Sequence, residues 1–346
     1  MSLMISEHLS CIFFRIGKNF KDDLEFLLNG VQEFDIQGGA VPSEVLVHGP
    51  LAFPIGATPD GKAFLAGAYY GQGRVIVATH EGYIGRDSLA KFFSNALHWL
   101  DEGRNGVVGI KPQLKSTESV LAKSGLQCQV TDFKEDLSVY VCTSYSDAQC
   151  EVIQDFVAEG GGLLIGGHAW YWAQSHPGQN AMAEYPGNHI LNKMGLCILG
   201  DTLSSGLYKV PDLEKACSDA YHFRGLLQRF ASHVNEGHSL SDHEQGCLKK
   251  LGKDCGHYLA METHECAAYT SIVAMLTDMV KQAGIPQVCN TCPVKSAKDH
   301  LLLNVGSQVY KVCQDPDALL PYIIKDQPAL PVVHNARVGI SVNSAG

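Results

Sequence analysis

No stretch of this sequence approaches the ~20 consecutive apolar residues that a membrane-spanning helix needs. The opening run from Leu9 to Ile16 is short and broken by Ser10 and Arg15. No basic residue precedes it and no small-residue cleavage site follows, so no signal peptide is expected. Basic clusters are missing as well. There are 26 Lys and Arg against 36 Asp and Glu, for a formal net charge of -10. That balance argues against nucleic-acid binding, which rests on positive charge. A disulfide framework is also absent. The twelve cysteines are scattered, and Cys142 and Cys197 fall inside apolar runs, which favours reduced thiols in a cytoplasmic protein. Tandem repeats and low-complexity tracts are lacking.

What remains is a globular composition, 45% hydrophobic and 18% charged over 346 residues. That length exceeds one ordinary core and implies two domains. Residues 21–30 read as a short helix closed by Gly30. EVLVHG (44–49) and LAFPIG (51–56) are strand-like, and PDG (59–61) is turn chemistry. FLAGAYY (64–70) and RVIVATH (74–80) read as a hairpin pair. Leu89, Phe92, Phe93, Ala96, Leu97 and Leu100 recur at helical spacing. Strands are expected at 107–111, 126–130, 138–143 and 162–167, with helices at 116–123 and 148–162.

Strands alternating with helices of this length imply βαβ units: a parallel sheet with helices on both faces. The pattern ends near residue 210. Beyond it, 221–234, 246–252, 265–284 and 299–313 all read as helices. The expected organisation is an unassigned extension over 1–20, an α/β domain over 21–215 and a smaller helical region over 216–325. Residues 326–346 look like the first strand of a further, β-rich domain.

Motifs for chemistry come close and then fail. GATPDGKA (56–63) lacks the Ser or Thr hydroxyl of a phosphate-binding loop and is followed by a strand instead of a helix. HEQGC (243–247) and HECAA (264–268) lack the second His of a zinc-protease helix. Cys289 and Cys292 have two-ligand spacing, but the pair is single, and Cys255, His257, His264 and Cys266 complete no regular pattern with it. His233, His238 and His243 recur every five residues, which spreads them around a helix. No metal site and no cofactor are expected.

The most informative segment is EGGGLLIGGHAWYWA (159–173), where a buried strand runs into small residues at its carboxyl end. Ligands of open α/β sheets bind at that edge, and related enzymes place a nucleophile on the turn there. Here the turn offers Gly166, Gly167 and His168, with neither Ser nor Cys. His168, Trp170 and Trp172 either line a pocket or cover the sheet edge. His80 and Glu81 follow another strand and supply the base half of a triad, or a binding-site wall.

Several segments in order carry a family resemblance: SEVLVHGPLAFPIG (43–56), YYGQGRVIVATHE (69–81), FSNALHWLDEG (93–103), FVAEGGGLLIGGHAWYWA (156–173), EYPGNHILNKMG (184–195) and YHFRGLL (221–227). Together they resemble the TRP melastatin channel-associated factors, proteins associated with the cold- and menthol-gated channel. The resemblance runs from about residue 22 to the end, and the first twenty residues match nothing in it. It implies a class I glutamine-amidotransferase-like fold for the α/β part. It further implies that this chain corresponds to the second of two such units, the helical region after it, and the start of a β-rich region. The first unit and a carboxy-terminal peptidase-like domain would be absent.

The function the resemblance implies is that of a non-enzymatic adaptor. Such a protein would bind the cytosolic regions of a TRP melastatin channel, promote its delivery to the plasma membrane and modulate its gating, with cell migration among the processes affected. It would lie in the cytoplasm, peripheral to the plasma membrane through its partner. The alternative is an amidotransferase-like or other small-molecule hydrolase using the sheet edge. The missing nucleophile favours the adaptor. His80, Glu81, Gly166, Gly167, His168, Trp170 and Trp172 are the candidate binding residues.

Overall fold

The computed structural model describes residues 20–218, 220–259, 261 and 275. The chain divides into two units, Met1–His222 and Phe223–Gly346.

The first unit opens with α1 (Lys21–Leu28), β1 (Glu33–Asp35), β2 (Ser43–Val47), β3 (Ala52–Ala57), β4 (Ala63–Tyr70) and β5 (Gly73–Ala78). It continues with α2 (Ala90–Asp101), β6 (Val107–Ile110), α3 (Glu118–Leu121), β7 (Gln127–Val130), β8 (Val139–Thr143), α4 (Cys150–Ala158) and β9 (Gly162–Gly166). It closes with α5 (Trp170–Ser175), α6 (Ala181–Glu184), α7 (Pro186–Leu191), β10 (Leu196–Thr202), β11 (Leu207–Lys209) and α8 (Leu213–Ser218).

Nine strands form one sheet in the order β10-β2-β4-β5-β9-β8-β6-β7, with β3 paired to β4; β1 and β11 form a separate pair. All five residues of β9 are buried. Leu163 and Ile165 pack with Val75, Val77, Tyr140 and Cys142 on one face. Leu164 packs with Ile76, Val108 and Val141 on the other. Because both faces are covered, the strand reads as a continuous apolar run and not as an alternation. Each such side chain contributes roughly 1.5–3 kcal/mol on burial. The covering layers are α1 and α2, through Leu24, Leu27, Phe93 and Leu97, and α4 and α7, through Ile153, Val157, Ile190 and Leu191.

The segments at 107–111, 127–130, 139–143 and 162–166 are neighbours, as their composition predicts, in the block β9-β8-β6-β7, and every pairing within it is parallel. β5 extends this block, parallel to β9. The rest of the sheet corrects the parallel expectation. β10 with β2, β2 with β4, β3 with β4, and β4 with β5 all pair antiparallel, so the sheet is mixed. The cause is local. Gly61 (φ +81°) and Gly71 (φ +58°) adopt left-handed turns open to glycine, and each turn reverses the chain within a few residues. A reversal that short leaves no room for a crossover helix.

The helix expected over 116–123 is a series of short turns around α3, ended by Gly125 in the left-handed conformation. The helix expected over 148–162 is confined to α4. The extension over 1–19, the helix over 299–313 and residues 326–346 lie outside the described residues, as do His264, Cys266, Cys289 and Cys292. So does the helix expected over 265–284, apart from Met275, which is helical.

The second unit contains α9 (Phe223–Glu236), α10 (Asp242–Gly246) and α11 (Leu248–Leu259). Phe223, Leu226, Leu227, Phe230 and Ala231 are the buried stripe of α9, at the i, i+3, i+4, i+7, i+8 spacing of an amphipathic helix. Phe223 meets Tyr258 of α11 with ring centroids 5.2 Å apart. Ser241 and Glu244 form a reciprocal cap at the start of α10.

Candidate functional site

Strand register builds the site. Ala78 of β5 is paired with Gly166 of β9, and Gly166 with Thr143 of β8. Two residues beyond each of these three aligned positions stand His80, His168 and Tyr145. The alignment persists past the strands, because the Ser144 amide donates to the Gly166 carbonyl (2.9 Å) and the Gly167 amide to the Ala78 carbonyl (3.0 Å). Three parallel strands therefore deliver three ring side chains to one spot at their carboxyl edge.

The rings meet there. His80 and His168 have centroids 4.7 Å apart, and Tyr145 lies edge-on to His168 at 5.4 Å. Trp170 stacks on the far side of His168 at 4.9 Å, with 19° between the planes. Trp170 is itself fixed, since its indole donates to the Val41 carbonyl and its amide to Ser43 Oγ. Glu81 opens a short 3-10 turn, Glu81–Tyr83, that His80 caps: the His80 Nδ1 accepts from the Gly82 amide at 3.0 Å. The Glu81 Oε2 accepts from the Tyr145 hydroxyl at 2.5 Å and lies 3.3 Å from His80 Nδ1.

Burial pushes both imidazoles below the ordinary histidine value, and the Glu81 carboxylate draws each partly back up. For His80, His168 and Arg86 add to the depression. Both rings are therefore neutral around pH 7. Burial and the bond to Glu81 raise the Tyr145 hydroxyl, which stays protonated as a donor. One nitrogen, His168 Nδ1, is buried and makes no hydrogen bond.

The structure thus brings His80, Glu81, His168 and Trp170 together above Gly166 and Gly167. Trp172, grouped with them on sequence, does not join them. It stacks on His176 at 4.3 Å and meets Tyr185 edge-on. Tyr145 was missed by sequence reading. Its signal was its place two residues past a recognised strand, in step with the two histidines.

The empty turn has a steric cause. A Cβ at Gly166 would lie 2.8 Å from Ile84 Cδ1 and 2.9 Å from Glu81 Cα, and one at Gly167 would lie 2.1 Å from Ser144 Oγ. A nucleophilic side chain does not fit at either position without moving its neighbours. The Ser144 hydroxyl is already bonded to Tyr185 at 2.6 Å. The Cys142 thiol is fully buried and pushed up to about 12 by that burial, which leaves it inert at neutral pH.

Sequence reading missed a second feature, a cleft of about 210 Å³ lined by Lys111, Asp132, Cys142, Thr143, Ser146 and Gln149 among others. It lies at the carboxyl ends of β6, β7 and β8. The chain runs outward from β6 to β7 and returns to β8, so the cleft occupies the switch point of the sheet.

Among the described residues, no helix is long and apolar enough to cross a membrane. Solved structures with a similar fold include the IMPa metallopeptidase from Pseudomonas aeruginosa, one structure of it in complex with an O-glycopeptide. The TM-score is 0.53 at 14% identity, covering 88% of this chain and 39% of that one. A likeness at that identity concerns the fold alone.

Among sequences, a TRPM8 channel-associated factor homolog of Danio rerio is 70% identical over 331 residues, 96% of this chain and 36% of the relative. TRPM8 channel-associated factor 2 of Homo sapiens is 42% identical over 283 residues, 82% of this chain and 30% of the relative. The chain spans about a third of the length of these curated relatives. The family model described as "TRPM8, N-terminal domain" matches residues 2–213, and "TCAF all helical domain" matches 220–322. The first match corrects the expectation that the opening twenty residues fall outside the family. By these matches the chain belongs to the TRPM8 channel-associated factor (TCAF) family.

Proposed function

We propose that this chain is a non-enzymatic adaptor that binds cytosolic regions of TRPM8, promotes its delivery to the plasma membrane and modulates its gating. The observation that carries this reading is kinship: relatives named for association with that channel align over 82% and 96% of the chain. The crowded Gly166–Gly167 turn supports it, because a hydrolase working at this edge would need a nucleophile that these positions do not offer. On the same reading the α/β unit over 21–215 is amidotransferase-like in descent, the helical region extends over 216–325, and the protein works in the cytoplasm, at the plasma membrane through its partner. His80, Glu81, His168 and Trp170 then form a sheet-edge binding site separate from the channel contact, and not a catalytic set.

The test is co-expression with TRPM8 in cells lacking the family, with co-precipitation and surface biotinylation as readouts. Recovery of the channel together with raised surface channel is expected. If the folded chain recovers no channel while a full-length relative does, the adaptor reading fails for this chain.

A further inference from the structure

We propose that His80, Glu81 and His168 form a binding site for one divalent transition-metal ion of the zinc class. One ligand atom from each of the three residues lies within 4.8 Å of the other two. In a tetrahedral zinc site, bonds of about 2.0–2.1 Å place ligand atoms roughly 3.4 Å apart. Small side-chain rotations therefore close the set, with no backbone rearrangement.

The lone pair of His80 Nδ1 is engaged by the Gly82 amide at 3.0 Å, so His80 ligates through its other ring nitrogen or by giving up that bond. The arrangement shows one feature that a cation would resolve. His168 Nδ1 is buried without a hydrogen-bond partner, a state that proteins seldom leave uncompensated.

The surroundings fit a ligand shell. The Tyr145 hydroxyl donates to Glu81 at 2.5 Å and orients the carboxylate. Trp170 stacks on His168 and fixes the plane of its ring. Supporting contacts of this kind set ligand geometry and tune affinity. Two imidazoles and one carboxylate select zinc, cobalt, nickel or copper over magnesium and calcium, which require oxygen shells. Three protein ligands would leave one tetrahedral position open.

The signal was hidden in sequence because residues 80, 81 and 168 belong to no compact spacing. Only the pairing of β5 with β9 assembles them. The site is distinct from the Cys289/Cys292 pair, and the experiment must separate the two.

Tag-free, chelator-stripped protein is titrated with Zn²⁺ against a competing chromophoric chelator, and the cobalt form is examined by absorption. One equivalent is expected at this site, with a cobalt spectrum free of thiolate charge transfer. H80N and H168N should each weaken that equivalent roughly 100-fold or more, and Y145F about tenfold. The C289S/C292S double variant should retain it. If H168N fails to fold, E81Q serves in its place: it removes the ligand charge while keeping an acceptor for Tyr145. The proposal is overturned if the wild-type chain binds no zinc, if the zinc is lost only in C289S/C292S, or if folded H80N/H168N binds as tightly as wild type.

Discussion

The imidazoles of His80 and His168 lie tilted against one another with centroids 4.7 Å apart and 38° between their planes, each two residues beyond the paired positions Ala78 and Gly166. The contact is a consequence of parallel pairing. Two strands in register end level with one another, so whatever follows them at equal distance meets. The same rule seats Tyr145 beyond Thr143 and makes the edge a three-strand platform. The glycines beneath are required by crowding, and this yields the first prediction.

Gly166→Ala places a methyl group against Ile84 Cδ1 at 2.8 Å and against the Glu81 backbone at 2.9 Å. Overpacking of this kind costs about 1–3 kcal/mol. Gly39→Ala is the control, because a Cβ there meets nothing within 4 Å, and its effect should stay within about 0.5 kcal/mol. Urea midpoints of the two variants decide the matter. Equal midpoints would contradict the steric account of the empty turn.

Asp101 joins the end of α2 to the start of β6. It accepts from the Asn105 amide (2.8 Å), the Gly106 amide (3.0 Å) and the Ser138 hydroxyl (2.5 Å). Burial raises its carboxyl, but the bonds from Ser138, Gly106 and Asn105, with Arg104 nearby, outweigh that and hold it below the ordinary aspartate value of 3.8. The sign follows from linkage. The native state binds fewer protons than the unfolded state, so this carboxylate stabilises the fold above that ordinary value. The contribution is lost as the pH falls through the lowered one. Asp101→Asn should cost about 1–3 kcal/mol at neutral pH and flatten the decline in stability toward about pH 3. Urea titrations of both proteins across that range test it. An unchanged acid limb would remove Asp101 from the account.

Arg74 packs against two rings that touch each other, 4.9 Å from the Trp99 centroid and 5.2 Å from that of Tyr69. It donates to the Trp99 carbonyl at 2.8 Å and pairs with Glu102. Lysine lacks the planar guanidinium that packs against aromatic rings while donating to two acceptors. Arg74→Lys should therefore cost about 1–2 kcal/mol, roughly the loss of one partly desolvated cation–π contact and one charge-assisted bond. A thermal midpoint equal to wild type would show that charge alone suffices.

How much was legible beforehand follows from which forces are local. Val139–Thr143 and Gly162–Gly166 announced themselves as buried strands because both of their faces are covered. The apolar stripe of α2 was visible because its period is its own. Of the antiparallel half, the β4–β5 hairpin was legible, but the place of β2 was not, since β2 lies beside β10 only through pairing between Val47 and Leu196, contacts that leave no mark on either segment alone. That both histidines follow buried strands predicts that His168 lies near His80 at the sheet edge, and their rings are 4.7 Å apart; Tyr145 was passed over, since its place beside them depends on the pairing of β8 with β9. Trp172 was misgrouped because adjacency in sequence to Trp170 says nothing about direction: α5 turns the two indoles to different neighbours.

Of the aromatic residues on α5, Tyr171 is 64% exposed, whereas Trp170 and Trp172 are half-buried in their stacks on His168 and His176. An adaptor loses its partner mainly through aromatic anchors that become buried on binding, which carry about 2 kcal/mol or more at the centre of an interface. Tyr171 is the anchor available on this edge without unfolding anything, because its removal leaves both stacks in place. Tyr171→Ala is expected to weaken recovery of TRPM8 about tenfold or more. His80→Ala and His168→Ala, which lie inside the cluster, should leave recovery nearly unchanged. Co-precipitation of variants matched for circular dichroism separates the outcomes. Loss of association in the folded histidine variants but not in Tyr171→Ala would move the contact surface into the cluster itself. A hydrolytic activity abolished by the same histidine changes would replace the adaptor reading with an enzymatic one.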